Sequence, residues 1–227
     1  MTEVETRWLK GVGPVIAFAR DDKLPLDVIV QPQPNPGAAP LAMAFIDGRC
    51  KLVLSMRGNP EAKATLDRIA PALLDATLEL MAAHELGHCR RYLDGAWYVV
   101  PSGFDGSAYA ALPPGLRAAA LDMKAARREE GFGDLVGLAW IRQRHPALYP
   151  TLHAWLLAER LRGRIPGSHH DTVAWLRVAE DGAPLAHASI FVAASALWNS
   201  VIIARRGGVG EIADNSGVDT RVLKSTR

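Results

Sequence analysis

The run His84-Glu85-Leu86-Gly87-His88 constrains this chain more than any other feature, and it sits at the centre of a stretch from Pro71 to Leu93 that reads as one helix. Residues four apart on a helix share a face one turn apart, so both imidazoles can reach a single metal ion while Glu85 lies beside them at the ion's open side. Leu74, Thr77, Leu78, Met81, His84 (or Glu85), His88 and Tyr92 recur at three- and four-residue steps, so the histidines continue an apolar, buried face. Pro71 suits a first turn, Arg90 and Arg91 suit a C-terminal turn, and Gly95 lies where a cap is expected. A lone buried histidine is an ordinary core residue, but two of them flanking a carboxylate are costly to bury without a metal.

The 227 residues are enough for one sizeable domain, and we expect it to span residues 1–206, with 207–227 as a flexible polar tail. Lys and Arg total 26 against 24 Asp and Glu, with no long basic block, so nothing calls for nucleic acid as a partner. Met1 to Lys10 carries Glu3, Glu5 and Arg7 and no apolar core, unlike a secretory signal. The apolar run Leu185 to Ala204 is broken by His187, Ser189, Ser195, Asn199 and Ser200, which predicts a buried helix rather than a membrane span. Cys50 and Cys89 make a poor disulfide framework, and together these features predict a soluble protein with reduced thiols in the cytoplasm.

Strands are expected early and helices later, an α+β arrangement. Val15 to Ala19 and Leu26 to Gln31 read as short strands, the second running into Gln-Pro-Gln-Pro-Asn-Pro-Gly, which no central strand continues through. Leu41 to Ile46, Asp47-Gly48 and Arg49 to Met56 form a strong hairpin signal. Lys51, Ser55 and Arg57 alternate with Leu52, Leu54 and Met56, so this second arm reads as half-exposed and suited to an edge, where an extended peptide would add antiparallel along Lys51 to Arg57. Asn59 and Pro60 open a further helix. A strand or loop at Trp97 to Pro101 and a Gly/Ser-rich connection from Ser102 to Ser107 come next. A long helical stretch follows from Pro113-Pro114, interrupted around Gly131 and Gly133 and ending before Pro146. Helices at Ala147 to Arg162 and Leu185 to Arg206 complete the core.

A catalytic zinc takes three protein ligands and a water, so a third ligand must lie downstream. Glu129-Glu130 and Asp134 fall inside the second long helical stretch. Glu130 is the expected ligand and Asp134, four residues on, the expected acceptor for a ligating imidazole. Glu129 remains open as the alternative, since periodicity leaves a one-residue register undecided. Glycines at 131, 133 and 137 each weaken a helix by about 1 kcal/mol relative to Ala, which close approach to the first helix would explain.

The pair of motifs, His84-Glu85-Leu86-Gly87-His88 and Glu130-x-x-x-Asp134, resembles the gluzincin metallopeptidases, in particular the group with a downstream ExxxD that includes CAAX prenyl proteases and compact soluble minigluzincins. The resemblance implies a zincin-like fold: a small antiparallel or mixed sheet packed on the metal-binding helix, with a helical subdomain after it. It also implies Zn²⁺ on His84, His88 and Glu130, Glu85 as general base, and a protein or peptide substrate. The chain lacks the hydrophobic spans of the membrane members, so a soluble zinc endopeptidase is the nearer analogue. Such enzymes place a downstream His or Tyr against the oxyanion. Here that role falls to His170, with His169 beside it and Tyr92, Tyr98, Tyr109 and Tyr149 as competitors, and Asp171 is expected to cap a following helix or orient a histidine. The competing expectation is a catalytically silent, zinc-stabilised regulatory or interaction protein, which an intact Glu85 disfavours because a structural site needs no base.

Overall fold

The computed structural model describes residues 1–95, 113–162, 164–186 and 188–207, with the side chains of the last helix described as far as Val201. Trp97 to Pro101, Ser102 to Ser107, Tyr98, Tyr109 and the tail after Gly207 lie outside the described residues.

The chain begins with a helix, α1 (Glu3–Asp21), and not with a strand. Thr2 and Glu5 form a reciprocal capping box that fixes its start. Trp8, Val12, Val15 and Ala19 then recur at helical spacing and are all buried. The strand expected at Val15 to Ala19 is therefore corrected: β-branched residues favour a strand locally, but the wider spacing decides the element. Gly11 lets α1 lie directly on the metal-motif helix, because a Cβ there would stand 2.3 Å from the Leu78 Cδ1.

Three strands follow, β1 (Leu26–Pro32), β2 (Leu41–Ile46) and β3 (Arg49–Arg57), in the spatial order β1-β3-β2. β2 and β3 form the expected hairpin, closed by Asp47 and Gly48, both at positive φ as a two-residue turn requires. β1 pairs parallel to β3, from Leu26 opposite Cys50 onwards, so the sheet is mixed. This places β3 in the centre and corrects the expectation that it is an edge: β1 lies along one flank and β2 along the other as far as Leu54, so Lys51 to Leu54 offers no free edge to a peptide. The alternation was real, since Cys50, Leu52, Leu54 and Met56 are buried, but it reports which face is covered and says nothing about neighbours in the sheet plane.

α2 (Pro60–Arg68) starts as expected, with Asn59 capping the Glu61 amide and Pro60 in the first turn. A 3₁₀ turn at Pro71–Leu73 leads into α3 (Leu74–Leu93), which carries the histidines and ends at Gly95 with positive φ. α4 (Pro114–Arg144) runs without a break through Gly131, Gly133 and Gly137, correcting the expected interruption. The glycines serve contact and not chain reversal. α5 (Tyr149–Leu161), the short α6 (Val173–Val178) and α7 (Ile190–Gly207) complete an α+β fold whose buried core runs from Trp8 to Val201. No helix among the described residues, α7 included, is long and apolar enough to cross a membrane.

Cys50 and Cys89 are joined in a disulfide with Cα atoms 5.6 Å apart, which corrects the expectation of free thiols. Spacing along the chain does not show that an inward position of β3 meets the position after His88 on α3, and only packing brings them together. The bond closes a segment with a sequence separation of 39 residues and ties the sheet to the metal-motif helix. Replacing both cysteines by Ala is expected to lower unfolding free energy by about 2–4 kcal/mol in denaturant titrations, with added reductant acting similarly on the unaltered protein.

Candidate metal centre

α3 lies between the sheet and α4, and its crossing with α4 is unusually close. A Cβ on Gly87 would meet Gly133 Cα at 3.1 Å, one on Gly137 would meet Leu80 O at 2.9 Å, and one on Gly133 would stand 2.8–3.0 Å from three atoms of the His84 ring. His84 therefore lies flat against bare backbone of α4. Even Gly133→Ala is expected to displace the imidazole, overpacking the contact by about 1–3 kcal/mol and weakening metal affinity despite the better helix propensity. Unchanged affinity by calorimetric zinc titration would contradict this arrangement.

The close crossing brings Glu130 to the two histidines. His84 Nε2 and His88 Nε2 are 3.0 Å apart, Glu130 Oε2 is 3.4 Å from the first, and Glu130 Oε1 is 3.5 Å from the second. Ligand atoms at about 2.0–2.1 Å from a tetrahedral ion are separated by about 3.3–3.4 Å, and here one ligand atom from each side chain lies within 4.8 Å of the others, with the two histidines approaching different oxygens of Glu130. His84, His88 and Glu130 form the group of potential metal ligands found among the described residues. Glu129, the alternative, points elsewhere: it is buried in a two-bond pair with Arg91 (2.7 and 2.9 Å).

Asp134 sits behind the site, fully buried, as expected for the partner of a ligating imidazole. Its Oδ1 accepts from His84 Nδ1 at 2.9 Å, leaving His84 Nε2 to face His88 and Glu130. Arg160 and Thr172 also donate to the Asp134 carboxylate, Arg160 from Nε at 2.9 Å and Thr172 from Oγ1 at 2.5 Å. Neither residue was singled out from the sequence. A signal existed for Arg160, which continues the four-residue spacing of Leu152 and Leu156, so a cation lies on the buried stripe of α5. None existed for Thr172.

Charge follows this packing. Burial disfavours a charged His84, but its contacts with Asp134 and then Glu130 outweigh that and raise the imidazole to about 10, so a metal must displace a proton to bind. Burial likewise pushes the Glu130 and Asp134 carboxyls up. It is overcome at Glu130 by His84 and His88, and at Asp134 by Arg160 and His84, so both are held well below the usual carboxylate range. At Glu85 burial wins: the attraction of His88 and His84, and a weaker pull from the Met43 main chain on β2, leave the carboxyl raised above an ordinary glutamate.

The cluster opens into a cleft of about 510 Å³ whose walls include Leu41 and Met43 of β2, Met81 and Glu85 of α3, and Arg160 of α5. His170 reaches its rim, more than half exposed, with Nε2 3.7 Å from Glu130 Oε2 and its ring against His169. Among the tyrosines, Tyr92 lines the cleft and stacks on Phe45, whereas the buried Tyr149 hydroxyl is committed to the Ala179 carbonyl. Asp171 neither caps α6 nor orients a histidine. It accepts from the Gly167 amide and from Arg164, fixing the turn before Thr172.

Comparison with protein-family profiles, with curated protein sequences and with solved structures returned no match.

Proposed function

We propose that the chain is a zinc-dependent peptidase of gluzincin type on a zincin-like scaffold, with His84, His88 and Glu130 as ligands and Glu85 as general base. The reading is carried by one observation: two imidazoles and a carboxylate from two crossing helices bring one ligand atom each within 4.8 Å of one another, beside a carboxylate of raised pKa that lines a cleft. Zinc held there would supply Lewis acidity, lowering the pKa of a water and polarising the substrate carbonyl.

The protein's own groups account for the remainder. Glu85, whose pKa burial raises, accepts the proton of the attacking water and delivers it to the leaving amine. Arg160 and His170, on a different wall from β2, are the donors placed to meet charge developing on the carbonyl oxygen. The Asp134 carboxylate holds His84 in the tautomer that presents Nε2. A peptide pairs with the edge of β2 that is open among the described residues, which takes the place that the sequence suggested for β3.

A peptide mixture incubated with zinc-loaded protein tests the reading. Cleavage that stops with a chelator and returns with zinc supports it, and a fully metallated protein that cuts nothing across a broad mixture overturns it.

A further inference from the structure

Given the peptidase reading, on which this step rests, we propose that the substrate is a peptide with a free C-terminus, held through its terminal carboxylate by Arg68, and that two or three residues are released from that end. The direction of the bound peptide follows from β2. Ser55 N donates to Pro40 O, so Pro40, Ala42 and Ala44 spend their main-chain groups on β3, and Leu41, Met43 and Phe45 turn theirs to the open side. Met43 and Glu85 line the same cleft. A strand added antiparallel to β2, the more stable pairing, leaves the cleft with its C-terminal end passing Leu41.

The length follows from the same register. Met43, which lines the cleft with Glu85, marks the level of the bond to be cut, and Leu41, where β2 begins, lies two residues or about 7 Å further along. Beyond Leu41 the template ends. The end of α2, with Thr65, Arg68 and Ile69, lines the same cleft as Ala39–Met43. The start of α2 is held near this end of β2, since its N-cap Asn59 donates from Nδ2 to Ala38 O at 3.0 Å.

Arg68 is the only charged residue among the lining groups from the β2 side, from α2 and from Leu80–Met81 of α3. Thr65 Oγ1 accepts from it at 3.2 Å and steadies the guanidinium, while its ion pair with Glu61 is long, 3.4 Å, and exposed on both sides. An exposed pair of this kind contributes little, so a terminal carboxylate taken in a two-bond geometry displaces Glu61 readily. In the cut, the water oxygen bonds to the carbonyl carbon and the C–N bond breaks. The proton taken by Glu85 passes to the amine of the released fragment, which keeps the original C-terminal carboxylate.

The test uses full-length, zinc-loaded protein and two N-acetylated hexapeptide pools that differ only in ending as the acid or the carboxamide. Cutting is followed by mass spectrometry, and retention of the uncut pools is measured on zinc-loaded Glu85→Gln protein. The acid pool is expected to be cut and retained about tenfold better than the amide pool, with released fragments of two or three residues. Arg68→Gln is expected to bring the ratio within about twofold and Arg68→Lys to keep part of it. Equal cutting and retention of both pools, or a ratio untouched by Arg68→Gln, overturns the carboxylate anchor and leaves the peptidase reading standing. Neither cutting nor retention of either pool removes both.

Discussion

Glu85→Gln is expected to lower peptide cleavage by about 10²–10⁴-fold while zinc content and fold stay unchanged, the range typical of losing a positioned general base. Glutamine keeps the size and shape of the side chain in the cleft wall, so the packing around it survives. It no longer takes a proton from water. The carboxylate is not one of the three groups spaced for the metal, so its loss spares binding. Turnover measured at matched zinc occupancy checks this, and undiminished cleavage would remove Glu85 from the mechanism.

Glu130→Ala and Glu129→Ala are expected to separate cleanly although the residues are neighbours in sequence. Removing Glu130 takes away one of the three proposed ligands. Loss of a group that merely supports a ligand weakens metal affinity 10–100-fold, so this substitution should exceed about 100-fold, with the fold intact. Removing Glu129 instead strands Arg91, nearly buried and lying 4.6 Å over the Trp198 ring, and is expected to lower stability by about 3–5 kcal/mol with zinc affinity retained. Calorimetric zinc titration beside denaturant unfolding reads both halves. Equal zinc affinities in the two variants would contradict the ligand assignment.

That contrast also marks how far the sequence was legible. The helix of the histidines, its caps, the Asp47-Gly48 hairpin and the Asn59-Pro60 start were readable because each is set by residues close in the chain. The partnership of Glu130 and Asp134 with the histidines was readable because four-residue spacing puts both on one face of α4 and the glycines beside them admit a neighbour. The choice between Glu129 and Glu130 was not, since it depends on the rotation of α4 about its axis, set by Gly133 against His84 and by Trp175 filling the space over Gly131. The Cys50–Cys89 bond, the central place of β3 and the convergence of Arg160 and Thr172 on Asp134 are products of tertiary packing between elements far apart in sequence. At α1, local β propensity pointed the wrong way and the longer-range spacing of Trp8, Val12, Val15 and Ala19 was the better guide.

The most direct test of the central claim is X-ray absorption at the zinc edge on protein loaded with one equivalent of the metal. The proposed centre predicts a first shell of nitrogen and oxygen at about 2.0–2.2 Å, with the outer-shell scattering of two imidazoles and no sulfur. A zinc ion that washes off at one equivalent, or a retained ion without imidazole scattering, would contradict a metal centre built on His84, His88 and Glu130.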